Sequence, residues 1–309
     1  MTYDALNYSE KMKRIFYFNI TYGCNSDCIF CYSHNTWHNS KPHNEISFAD
    51  FFDYLDAQNI NARDRVIING GEPFLHTEIE NILSGLVSYD CEVLIYTNGR
   101  ILSRYDMSHL PKQFRFIIPI HGYEVLHDNI TGVRGSYRET LKTLNDLTQN
   151  TKCLVDIKII INNSMLSEDY DGDLLINSLS DVSFNNAVHI TKMADTIVSK
   201  KNKCKTISND DAAYYTRLLF EYFKKFDRKI KIFDTCIKDI GFEAYGDYMK
   251  YKDNVRVYFK DKNQYREIDL FRNFTKCMQE CICFDKCMSA VDEYKVLEYS
   301  NGKIYENLE

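Results

Sequence analysis

The sequence predicts an α/β protein built on a parallel sheet. Three observations carry this. Short β-branched runs recur through the first two hundred residues, each closes on a turn rich in glycine or asparagine, and amphipathic helical segments separate them. The first strand is Phe16–Thr21, followed by a loop with three cysteines. Arg65–Gly70 then ends at Gly70-Gly71, Glu92–Thr97 at Asn98-Gly99, and Phe114–Ile120 at His121-Gly122. Cys153–Ile161 ends at Asn162-Asn163, and Ala187–Lys192 is the sixth strand. Helical spacing falls on Phe48–Gln58, Ile79–Ser88, Ser136–Thr148 and Leu174–Leu179. Six strands in this order suit an open or partial barrel as well as a doubly wound sheet.

Beyond the polar stretch Lys200–Asp211 the pattern changes. Asp210–Phe226 reads as a helix, with Leu218, Leu219, Tyr222 and Phe223 at helical spacing, and Lys229–Phe233 as a strand. Turns at Asp261–Asn263 and at Asn301-Gly302 predict two hairpins, the second joining Lys295–Tyr299 to Lys303–Tyr305. The expected organisation is an N-terminal extension over 1–15, an α/β domain over 16–200 and a small α+β part over 201–309.

Composition narrows the function. The 309 residues are 44% hydrophobic and 27% charged, an ordinary globular balance that argues against disorder. A net charge of −6 gives no support for a nucleic-acid backbone binder. Met1–Arg14 has no apolar segment of the secretory kind, and no run is long enough to span a membrane, so a cytoplasmic protein is expected. Eleven cysteines are many for such a chain, and they cluster, three in 24–31 and four in 277–287. In a reducing compartment such clusters read as metal ligands rather than disulfides.

The first cluster is Cys24-x3-Cys28-x2-Cys31, with Phe30 before the last cysteine. Three thiolates on one loop can hold three irons of a 4Fe–4S cluster and leave the fourth iron open to a small molecule. The alternative is a structural zinc completed by His34 or His38. Gly70-Gly71-Glu72-Pro73 follows one βα unit later, where glycine permits close backbone approach and Pro73 fixes a turn. Tyr96-Thr97-Asn98-Gly99 ends the third strand. Alone, each run is an ordinary turn. In order and register, the three resemble the radical S-adenosylmethionine (radical SAM) family.

The resemblance implies a partial (β/α)6 TIM-type barrel with a small C-terminal α+β cluster-binding cap. It implies a 4Fe–4S cluster on Cys24, Cys28 and Cys31, with S-adenosylmethionine (SAM) chelating the open iron through its amino and carboxylate groups. One electron from the cluster would split SAM into methionine and a 5′-deoxyadenosyl radical, which abstracts hydrogen from substrate. The cofactor-binding residues would be Phe30, Gly70, Gly71, Glu72, Pro73, Thr97, Asn98 and Asn162. In such a barrel the pocket lies at the C-terminal strand ends, which adds Asn69, His121 and Lys192 as candidate contacts. No catalytic residue is assigned; His121 and Lys192 are the candidates, and His121 could equally bond a loop carbonyl. A further run, His127-Asp128 through Gly132, Arg134, Gly135, Ser136 and Tyr137, resembles one common in the peptide-modifying branch. Ser136 also fits a helix N-cap, with Glu139 completing a capping box.

At the other end, Cys236, Cys277, Cys281, Cys283 and Cys287 offer five thiols. Four suffice for a second iron–sulfur cluster or a four-thiolate zinc. They resemble the auxiliary-cluster extensions called SPASM or twitch domains, although the hairpins here lack further cysteines, so one auxiliary cluster is expected. Cys236, Cys277, Cys283 and Cys287 are the preferred ligands, with Cys281 an alternate to Cys277 or Cys283. Cys91 and Cys153 read as small buried hydrophobes, and Cys204 stands apart. The resemblance further implies a ribosomally made peptide as substrate, and flavodoxin or ferredoxin as electron donor. No nucleic-acid or membrane partner is expected. The rival readings are a radical SAM enzyme acting on a small molecule or nucleotide, and a non-catalytic zinc or iron–sulfur interaction protein.

Overall fold

The computed structural model describes residues 13–31, 45–166, 172–193, 207–226 and 229–233. It also describes the backbone strands at 249–250, 255–261, 264–269, 295–300 and 303–308. Cys204, Cys236, Cys277, Cys281, Cys283, Cys287, His34 and His38 lie outside the described residues.

The predicted strands are present as β1 (Lys13–Asn19), β2 (Arg65–Asn69), β3 (Glu92–Tyr96), β4 (Phe114–Pro119), β5 (Leu154–Ile161) and β6 (Ala187–Lys192). β7 (Lys229–Phe233) joins them, parallel to β6, so seven strands run parallel in chain order. Both hairpins form. β9 (Val255–Asp261) and β10 (Gln264–Asp269) pair antiparallel, as do β11 (Lys295–Ser300) and β12 (Lys303–Leu308). β9 lies parallel beside β1, β11 antiparallel beside β7, and short β8 (Met249–Lys250) parallel beside β12. The sheet order is linear and does not close, so the parallel part is a partial barrel.

The crossover helices are α1 (Phe48–Ala57), α2 (Ile79–Leu86), α3 (Glu124–Thr131), α4 (Ser136–Asn150), α5 (Gly172–Leu179) and α6 (Asn209–Lys224). Helix α3 has no counterpart among the sequence expectations. Its buried face is Leu126, His127, Ile130 and Thr131, two of them polar, which blunts any apolar periodicity.

Strand alternation separates two faces. Phe16 and Phe18 of β1 point outward into the main core with Phe51, Leu55, Ile82 and Leu86 of the first two helices. Ile15, Ile67, Leu94 and Ile117 form an inner cluster, with Tyr17 and Tyr96 packed against it. Cys91 and Cys153 are buried in the main core, as small hydrophobes would be. Toward the N-terminal ends of the strands the inner face is ionic. Glu92 takes Arg65 Nη2 at 2.6 Å and Arg115 Nη2 at 2.7 Å. His189 Nε2 meets Asp156 Oδ2 at 2.8 Å, with both side chains fully buried.

Burial pushes His189 down to about 4, outweighing the opposing Asp156 hydrogen bond. Burial would raise Asp156, but the His189 bond and the nearby Arg115 and Lys231 charges hold it at about 2. The pair is therefore neutral imidazole and carboxylate at neutral pH. An unfolded histidine binds its proton near 6.5, well before the folded one does, so stability is lost as pH falls from 6.5 toward 4. Asp156 adds a further loss below about 4. In denaturant titrations across this range, His189→Gln should flatten the loss between pH 6.5 and 4 and leave the steeper loss below it.

Candidate active site at the strand ends

The three cysteines occupy the loop that leaves β1 at the C-terminal edge of the sheet. Four sets of contacts hold that loop. The first is backbone: Gly71 N–H donates to the Thr21 carbonyl at 2.9 Å and Glu72 N–H to the Gly23 carbonyl at 2.7 Å. A Cβ on Gly71 would lie 2.1 Å from Gly23 O and 3.1 Å from Cys24 Cβ. Only glycine permits this approach, which gives the Gly-Gly pair its reason.

The second set runs through Glu72, whose side chain is 0% exposed. Its Oε1 accepts from Phe74 N at 3.1 Å and Thr97 Oγ1 at 2.7 Å, and its Oε2 accepts from Asn98 N at 2.7 Å. Burial pushes this carboxyl up to about 7, against the pull of those donors. The Gly-Gly-Glu-Pro turn and the Thr-Asn-Gly strand end are thus one bonded unit. Thr97 Oγ1 also accepts from Gly99 N, so both Glu72 and Thr97 spend their side chains inside the protein.

Asn98 and Arg100 form the third set. Asn98 Nδ2 donates to Asn25 Oδ1 at 2.6 Å, and Arg100 Nη1 bonds the Asn25 carbonyl. Both reach the stretch between Cys24 and Cys28. The fourth set comes from α3: Asp27 N–H donates to Thr131 O at 2.8 Å and Ile29 N–H to Ile130 O at 3.0 Å. The loop therefore takes up carbonyls that the end of α3 would otherwise leave unpaired. Gly132 ends α3 in the left-handed conformation, φ +69, where a Cβ would come within 3.0 Å of Asp27 O.

The run from His127 to Tyr137 thereby acquires a structural meaning, and one expectation is corrected. Ser136 is not the N-cap of α4; that position is Gly135, and Ser136 is the first helical residue. The capping acceptor is Asp128, which receives Gly135 N, Tyr137 N at 2.9 Å and Ser136 Oγ at 2.9 Å. Glu139 completes no capping box and instead pairs with Arg100 Nε at 2.7 Å. A carboxylate eight residues upstream offers two acceptor oxygens where a serine offers one hydroxyl.

Phe30 sets its ring edge-on to His121, centroids 5.1 Å apart, and His121 stacks on His127 at 5.3 Å. His121 N–H donates to His127 Nδ1, while His121 Nδ1 has no partner among the described residues. Burial holds His121 well below its ordinary value, helped by His127 and Lys158, so it is neutral at pH 7. Asn162 is fully buried; it donates to Ile160 O at 2.9 Å and accepts from Ser164 N at 3.0 Å at the end of β5. Lys192 is half-buried at the end of β6, and Asn69 bonds Tyr17 OH on the inner face.

Burial, opposed by a backbone bond, pushes the Cys24 thiol up to about 12, and burial with the neighbouring thiols holds Cys28 high as well. The three thiols thus lie within electrostatic reach of one another. Among the described residues no three metal-binding side chains converge on a single ion. A four-iron cluster asks for something else, soft thiolates each on a different iron, and this donor set fits it. Loading it must displace thiol protons.

A domain model described as Radical SAM superfamily matches residues 18–164. This stretch is a radical SAM domain. The AdoMet-dependent heme synthase of Methanosarcina barkeri is 26% identical over 131 residues, 41% of this chain and 37% of that protein. The antilisterial bacteriocin subtilosin biosynthesis protein AlbA of Bacillus subtilis is 28% identical over 138 residues, 43% of this chain and 30% of that one. The match thus spans about a third of the length of these curated relatives. Streptococcus suis SuiB bound to S-adenosylmethionine superposes with TM-score 0.60 at 15% identity, over 90% of this chain and 72% of that one. The same protein bound to precursor peptide SuiA superposes with TM-score 0.57 at 14% identity, over 80% and 57%. At such identities the likeness is one of fold. No helix among the described residues is long and apolar enough to cross a membrane.

Of the residues singled out from sequence, the structure brings Phe30, Gly70, Gly71, Glu72, Thr97, Asn98 and His121 around the cysteine loop. Arg100, Asn25 and the α3 carbonyls were missed; in the case of Arg100, a charged residue after an Asn-Gly turn reads as solvated. Gly71→Ala should displace the cysteine loop and cost about 3 kcal/mol by forced overpacking, read as a lower melting temperature. Asp128→Ala should cost about 2 kcal/mol in chemical denaturation and Ser136→Ala about 1, the reverse of a serine-capped helix.

Proposed function

We propose that this chain is a radical SAM enzyme that cleaves SAM reductively and abstracts hydrogen from a ribosomally made peptide. The observation that carries it is the bonded unit of cysteine loop, Gly71-Glu72 turn and Asn98 strand end. In this reading Cys24, Cys28 and Cys31 hold a 4Fe–4S cluster, which when bound and reduced supplies the electron that releases methionine and a 5′-deoxyadenosyl radical from SAM.

The chain's own residues prepare that step. The backbone at 71–72 and the side chain of Asn98 anchor the cysteine loop, while Glu72 and Thr97 fix where those groups stand. Phe30 and His121 wall the side of the loop with apolar and neutral surface, excluding water where a radical would form. Because His121 stays uncharged, it would orient a neighbour rather than carry a proton.

The peptide substrate is supported by the SuiB structure with its precursor peptide and by the AlbA relative. The heme synthase relative keeps a small-molecule substrate as the second reading. In the peptide reading, Cys236, Cys277, Cys283 and Cys287, with Cys281 as alternate, hold an auxiliary cluster in a cap over 201–309. Flavodoxin or ferredoxin delivers electrons in the cytoplasm, and Lys192 is a candidate substrate contact.

Anaerobic reconstitution with iron, zinc and sulfide analysis tests the core. The expected protein is brown, carries four irons at the first site and forms 5′-deoxyadenosine with dithionite. Cys28→Ala should abolish that product, at least a hundredfold below wild type. Cys287→Ala should spare it while impairing turnover of the peptide. A colourless zinc protein inert toward SAM would defeat the proposal.

A further inference from the structure

Arg100 belongs to none of the motifs, yet its side chain too bonds the cysteine loop. Its Nη1 bonds the Asn25 carbonyl and lies 3.4 Å from Ser26 Oγ, between Cys24 and Cys28. Its Nε binds Glu139 Oε2 of α4 at 2.7 Å. The arginine side chain is 12% exposed and that of Glu139 48%. The anion is therefore screened by water far more than the cation is, and the guanidinium charge is only partly offset.

That charge reaches the loop. Its guanidinium stands against the backbone and Ser26 hydroxyl between Cys24 and Cys28. A cluster bound by three thiolates is anionic and becomes more so on gaining an electron. A fixed cation beside it lowers the cost of that electron, since the interaction grows with the negative charge it faces. Arginine suits this role: it stays charged at every working pH, and its fork holds carbonyl and carboxylate at once. A lysine would keep the charge but lose the two-sided grip.

We propose that Arg100 is a positioning residue that pins the Cys24–Cys28 stretch to α4 and raises the reduction potential of the cluster held there. This rests on the assignment of Cys24, Cys28 and Cys31 as cluster ligands. The step concerned is the uptake of one electron from an external reductant, with no bond made or broken at Arg100.

The full chain and its Arg100→Gln, Arg100→Lys and Glu139→Gln variants are reconstituted anaerobically. Each is then poised with dithionite and mediators, and the reduced cluster is followed by electron paramagnetic resonance, alongside iron content. Arg100→Gln should make the potential more negative, cutting the reduced-to-oxidised ratio at a fixed poise about tenfold. Arg100→Lys should stay within about twofold of wild type in that ratio, yet lose iron faster to a chelator. Glu139→Gln removes the partial counter-charge and should shift the ratio the other way, severalfold upward. These opposite signs do not arise from a merely structural contact. An unchanged ratio in Arg100→Gln, or a downward shift in Glu139→Gln, overturns the proposal; the second variant decides should the first not fold. A wild-type chain that takes up no four-iron cluster overturns the ligand assignment itself.

Discussion

The site depends on one buried carboxylate. Glu72 has no access to water, and three donors from two different strand ends converge on its oxygens. Removing such an acceptor leaves Phe74 N, Thr97 Oγ1 and Asn98 N buried without their partner, a cost of roughly 1–3 kcal/mol for each group. With the carboxylate in place, Asn98 is held so that its amide reaches Asn25, and the cysteine loop gains its grip. Burial and hydrogen bonding oppose each other at this group, and the net effect leaves it near neutrality in its titration. A site that must shed thiol protons to load a cluster sits beside a carboxyl that can itself hold one.

The sheet divides its inner face into two regimes. Near the N-terminal strand ends, Arg65, Glu92, Arg115, Asp156 and His189 are paired. Such buried pairs add little stability, but each fixes its partner's position. Beside them on the same face Ile15, Ile67, Leu94 and Ile117 form an apolar cluster. Above that, Tyr17, Asn69, Tyr96 and Lys158 are half-buried on the same face, where the strand ends open toward the loops. The cysteine loop's mobility is limited by Gly71, α3, Asn98 and Arg100 rather than by any core of its own.

Much of this was legible in the chain. The β-branched runs at 65–69, 92–96 and 187–192 matched their strands closely because buried parallel strands need little but local composition to be seen. Helix α3 was not legible, because its buried face includes His127 and Thr131. Ser136 was misread for a related reason: a local capping rule was applied where Asp128, on the preceding helix, supplies both oxygens.

By itself the sequence determined which chemistry is available. Three soft thiols at fixed spacing, a Gly-Gly-Glu-Pro turn and a Thr-Asn-Gly strand end are properties of neighbouring residues, and neighbours are what a chain specifies directly. Only the tertiary structure decided how they serve. Gly71 is required because the Gly23 carbonyl lies where its side chain would be, and Glu72 faces inward because Thr97 and Asn98 arrive from another strand. Arg100 reaches the cysteine loop across seventy-five positions of sequence. Contacts of that separation depend on how the sheet twists and where α3 and α4 settle, and no local pattern records them.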